Sequence, residues 1–153
     1  MGLTLEFYLG DSDVIAKAVE ELDLEKLRSI GIIKGMADFS LHIEPNDLDL
    51  LSHQLGQHSN QQAIELRPHL RVLFDDIDRG AFEVDDEWVS YVLAVPRAAV
   101  RNITESWFNR IEQKYGDERI EVTEAALKAV DDLLQLCRRA KTEGQPVSHV
   151  WFL

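Results

Sequence analysis

The chain has 153 residues, with 28 acidic against 16 basic side chains for a formal charge of -12. It is 45% hydrophobic and 29% charged. That length suits one domain, residues 1–153, with a core of its own, and the balance excludes disorder as a global description. A surface this negative repels phosphate backbones, so nucleic acid is not an expected partner, whereas a basic protein is.

In chain order, Leu3–Leu9 reads as a strand running into a Gly10-Asp11 turn. Asp11 or Ser12 then caps a helix with Val14, Ile15, Ala18, Val19 and Leu22 at helical spacing, and Asp23–Ser29 continues as a second short helix. Gly31–Gly35 marks a break. Phe39–Glu44 alternates and predicts a strand, with Ser40, His42 and Glu44 on one face. Pro45 stops it, Asn46 or Asp47 caps a helix bearing Leu48, Leu51 and Leu55, and Gly56 ends that helix. Gln57–Gln62 reads as a loop.

The stretch Ala63–Asp78 is ambiguous. Leu66, Leu70, Leu73, Phe74 and Ile77 fit a helix begun near Pro68 and ended by Gly80, with Ala81–Val84 an extended link. Asp85 or Asp86 caps the helix Glu87–Ala94. Beyond Pro96, the series Val100, Ile103, Trp107, Ile111 and Tyr115 is strongly amphipathic up to Gly116. Ile120–Val122 is a short extended piece. Thr123 caps the last helix, which turns Ala126, Leu127, Val130, Leu133, Leu134 and Cys137 inward. Thr142–Pro146 is a turn, and Val147–Leu153 a final apolar strand. The expected fold is α+β: a small mixed or antiparallel sheet that includes both chain termini, covered by several amphipathic helices. A terminal strand at the sheet edge would offer a homodimer contact.

Two clusters are candidates for function. Asp75, Asp76, Asp78, Glu83, Asp85, Asp86 and Glu87 crowd together with Trp88 at their margin. They form the expected surface for a basic protein partner, with Trp88 exposed beside Phe82 and Tyr91. The spacing of Asp76, Asp78 and Glu87 imitates an EF-hand but lacks its turn glycine and its ninth ligand. His42, Glu44, His53 and His58 are the second cluster, a possible metal set for a metal-dependent hydrolase. Their spacing is not that of a helical HExxH pair. His69 and His149 stand alone. Trp88, Trp107 and Trp151 would suit the lining of a small-ligand pocket.

Other chemistries lack a signature. There is no GxSxG or SxxK pattern, and Gly31-Ile32-Ile33-Lys34-Gly35 is not a phosphate loop. Cys137 falls on an apolar helix face, the setting of a core thiol, and Arg138, Arg139 and Lys141 sit where a helix C-terminus favours cations. No cofactor is expected. One cysteine, no basic leader and no long apolar run predict a cytoplasmic protein away from membranes.

Met1-Gly2, Phe7, Asp11-Ser12 and Ile15 at the start, with Leu127–Lys141, Gly144 and Val147–Leu153 at the end, resemble the YfbM-like proteins, an uncharacterised bacterial family. The resemblance covers about a third of the chain and implies an α+β fold without implying an activity. The leading expectation is therefore an acidic, non-catalytic binding module, by analogy immunity- or antitoxin-like.

Overall fold

The computed structural model describes residues 2–116 and 118–153, so Met1, quoted for the resemblance, lies outside the described residues. Strands β1 (Thr4–Leu9), β2 (Met36–Asp38), β3 (Leu70–Asp75), β4 (Arg79–Val84) and β5 (Val147–Phe152) form one antiparallel sheet in the order β2-β1-β5-β4-β3. Helices α1 (Ser12–Glu20) and α2 (Leu24–Ile33) cover one face. On the other lie α3 (Pro45–Gln57), α4 (Asp86–Leu93), α5 (Val100–Lys114) and α6 (Glu124–Glu143). The fold is α+β.

Strand alternation sorts the two layers. Leu5, Phe7 and Leu9 of β1 join the larger core with Trp88, Trp107 and the inward side of α6, whereas Tyr8 meets Ile15, Val19 and Leu27 beneath α1 and α2. Both strands at the chain ends are interior. β5 is central, paired along its length with β1 on one side and β4 on the other. The dimer contact expected of a terminal edge strand therefore has no edge to use; the free edges belong to β2 and β3.

Local chemistry fixes most helix starts. Asp11 Oδ1 accepts from the amides of Asp13 and Val14, Asp85 Oδ1 from Trp88, and Thr123 Oγ1 from Ala126. Gly144 closes α6 at φ 63°, a conformation glycine adopts freely.

Four predicted elements differ. α2 runs through Gly31 to Ile33, past the break expected at Gly31–Gly35. The strand expected at Phe39–Glu44 lies earlier, at Met36–Asp38. The chain then turns, because Ser40 donates its amide to Asp38 Oδ1 and Leu41 donates to the Phe39 carbonyl. α3 begins at Pro45 behind a Glu44–Asp47 capping box, not at Asn46 or Asp47, and it runs through Gly56. That glycine is needed for close approach: a Cβ there would sit 2.2 Å from the Tyr91 hydroxyl and 3.2 Å from Ala63 Cα. The helix expected near Pro68–Ile77 is a short 3-10 turn, Arg67–His69, followed by β3. A bulge between Val72 and Phe74 interrupts its pairing with β4. It puts Leu73 and Phe74 against the same core cluster, breaking the two-residue alternation that identifies a strand. Gly80 is consequently a paired β4 residue, not a helix stop. Ile120–Val122 is extended but belongs to no strand.

Candidate functional site

β3 and β4 form an outer hairpin that carries the acid cluster. Asp75, Asp76 and Asp78 occupy its tip. Glu83 lies on β4, where it pairs with Arg71 at 3.0 Å. Asp85, Asp86 and Glu87 open α4 at the other end, six strand residues away or about 20 Å. The acids are therefore two groups, not one patch. Asp78 pairs with Arg79 at 2.6 Å, whose guanidinium also donates to the carbonyls of Val19 and Glu20 and fastens the tip to the end of α1. Among the described residues Asp75, Asp76 and Asp86 make no ion pair. Ile77, between the tip acids, is 87% exposed.

Trp88 is not part of this surface. It is 1% exposed, its indole N–H donates to Ser52 Oγ at 3.0 Å, and its ring stacks on Phe7. Tyr91, expected beside it, is also buried and donates its hydroxyl to the Ser52 carbonyl. Both side chains fall on the core side of a two-turn helix, a periodicity too short to outweigh the acids that precede it.

The histidine set is dispersed. His58 Nδ1 lies 2.9 Å from the Gln54 carbonyl. His53 Nε2 lies 3.6 Å from Glu65. Glu44 takes part in the α3 capping box and accepts from Lys114 at 3.1 Å. His42 sits in a loop at φ 60° beside Gly2. His42, Glu44, His53 and His58 do not converge as a metal set, because the strand that would have placed His42 and Glu44 on one face is a turn. A different group does converge: one ligand atom each from His69, Asp85 and Glu87 lie within 4.8 Å of one another. His69 Nδ1 is 2.7 Å from Asp85 Oδ2, and the Asp85 amide donates to the His69 carbonyl across the hairpin. This cross-strand pairing brings together residues that are far apart in sequence. The EF-hand imitation fails for the same reason, since the hairpin separates Asp76 from Glu87.

Buried polar groups serve the framework. Glu6, 1% exposed, accepts from Arg28 of α2, and burial holds its carboxyl above the usual range despite that guanidinium. Its Oε1, like Ser148 Oγ, has no partner among the described residues. His149 lies in the sheet with its ring centroid 4.6 Å from that of Phe7, and donates from Nδ1 to the Glu6 carbonyl at 3.1 Å. Burial lowers its pKa to about 4, so it is neutral at pH 7. Burial pushes the Cys137 thiol up to about 12 and keeps it unreactive.

A groove of about 760 Å³ runs between the 40–43 turn, the end of α5 and the 118–123 segment. Leu41, Ile43, Phe108, Ile111, Tyr115 and Ile120 line it, with Glu118 and Glu121 at its rim. None of the three tryptophans lines it: Trp88 and Trp107 are core, and Trp151 is half-buried in the sheet. No helix among the described residues is long and apolar enough to cross a membrane.

No protein-family model matches the chain, and no curated protein matches it. Among solved structures the chain is similar to a protein of unknown function, YfbM from Escherichia coli, at 13% identity and a TM-score of 0.43. The alignment covers 98% of this chain and 99% of that one, a weak likeness at the level of fold that assigns no residue a role.

Proposed function

We infer that the protein is an acidic binding module that docks a basic protein through the β3–β4 hairpin, without chemistry of its own. The supporting observation is that the most acidic segment of a chain of charge -12 folds as an outer hairpin with a free strand edge, leaving Asp75 and Asp76 at its tip without an ion pair among the described residues. Complementary charge of this kind speeds encounter and selects partners. Masking the basic surface of a toxin, as an immunity protein or antitoxin does, is the biological form such binding would take. The experiment is calorimetry with a basic partner co-purified from the native host, or with the product of the neighbouring reading frame. Affinity falling about tenfold or more from low to high salt supports the reading. Salt-independent affinity refutes it.

A second reading, a metal-dependent activity, rests on the convergence of His69, Asp85 and Glu87. The positive end of α4 opposes a cation there, and Asp85 already caps that helix. Titration with zinc or manganese decides it: binding that His69→Ala abolishes keeps the reading, and no heat at millimolar metal removes it.

A further inference from the structure

The hairpin is one free edge of the sheet. The other is β2, and it borders a cavity. Leu9 donates its amide to the Gly35 carbonyl, and Phe39 donates to Leu5, so the intervening pair Phe7–Ala37 also faces inward across the β1–β2 ladder. The N–H and C=O groups of Met36 and Asp38 therefore point away from β1, and among the described residues no backbone group meets them. A cavity of about 370 Å³ lies there, between Arg28 of α2 and Ala125, Ala129 and Asp132 of α6. Ser40, Leu41 and Ala125 border both this cavity and the 760 Å³ apolar groove, so the two lie side by side.

Charge indicates what fits. The cations lining the smaller cavity are already engaged, Arg28 with Glu6 and Lys128 with Asp132. Asp38, Glu118 and Glu121 line the combined channel and make no ion pair among the described residues. Unused strand groups, an apolar trough and unpaired carboxylates occur along one path. We propose that this channel binds an extended, basic segment of a protein: its main chain adds to the open edge of β2, apolar side chains enter the trough past Leu41, and lysines or arginines face Asp38, Glu118 and Glu121. This is strand addition, in which backbone bonds give affinity and alternate side chains give selectivity. It does not depend on the hairpin reading, and the two surfaces lie at opposite edges of the sheet.

The test is amide and methyl NMR on the whole chain, titrated with a blocked peptide of about nine residues alternating valine and lysine, long enough to span β2 and reach the trough. Expected are shifts and slowed hydrogen exchange at Met36 and Asp38, with methyl shifts at Leu41, Ile43 and Ile120. N-methylation of the peptide's bonding amides should weaken binding about tenfold or more, and so should glutamate in place of lysine. Ala125→Arg, on an exposed helix position at the meeting of the two cavities, should block binding with thermal unfolding unchanged. No response at millimolar peptide, indifference to N-methylation, or undiminished binding by Ala125→Arg overturns the proposal. Shifts confined to Leu70–Val84 overturn it while leaving the hairpin reading intact. Channel shifts in a protein whose basic partner ignores the hairpin do the reverse.

Discussion

β2 and β3 are both outer strands, but they treat their open edges differently. β3 is six residues long, bulged, flanked by acids and exposed, with Val72 at 59%. β2 is three residues long and recessed between α2 and α6, with Ala37 fully buried. Bulges and charge discourage one edge from pairing with like strands, and shortness with helical cover does so for the other. The contrast separates electrostatic attraction at long range, which dominates at the acidic hairpin, from directional bonding at short range beside an apolar groove, which the β2 channel offers. Both depend on the rigid strands between them, β1, β5 and β4.

The largest expected effect falls on the framework that the two edges share. Deleting Val147–Leu153 removes the central strand and splits the sheet into two separate pairs, β1 with β2 and β4 with β3. Cooperative thermal unfolding should disappear; retention of a normal melt would show that the sheet order is wrong. Next is acid. His149 is neutral in the fold, with a pKa near 4 against an ordinary 6.5, so the unfolded chain binds the extra proton. Its contribution is complete above pH 6.5 and is lost as pH falls towards 4, at most about 3 kcal/mol. Denaturant melts across that range should show the loss, and His149→Asn should flatten it. Glu6, whose pKa is raised, acts oppositely: protonation on acidification relieves the cost of burying its charge.

Arg28→Met strands the Glu6 carboxylate beside β2. With Arg28 51% exposed, the loss should be about 2 kcal/mol, below the range for a fully buried pair, and Glu6→Leu in the same chain should restore most of it. Chemical denaturation checks both. The smallest effect on stability is expected at the hairpin tip: Asp75→Asn, Asp76→Asn and Asp78→Asn together should change it by about 0.5 kcal/mol or less, because the first two are exposed and unpaired.

How much was legible in the sequence follows the same division. β1 and β5 announce themselves as apolar runs beside turns, α1 and α6 carry both caps and periodic faces openly, α4 shows its cap, and α5 shows its periodic face without a side-chain cap. The edge strands do not. β2 is too short to show alternation, and in β3 the bulge gives Leu70, Leu73 and Phe74 the spacing of a helix. The candidate sites are contacts between distant segments. His69 meets Asp85 only through the hairpin, and the channel exists only because Leu41 and Ala125 meet beside β2. Trp88 shows the converse, where local acidity suggested a surface and the core claimed the ring.

The most direct measurement is the affinity of a basic protein partner at low salt for the native chain and for the triple Asp75→Asn, Asp76→Asn, Asp78→Asn variant. Docking through the hairpin tip requires binding about tenfold weaker or more in the variant, with an unchanged melting temperature. Equal affinity of the two proteins would contradict it.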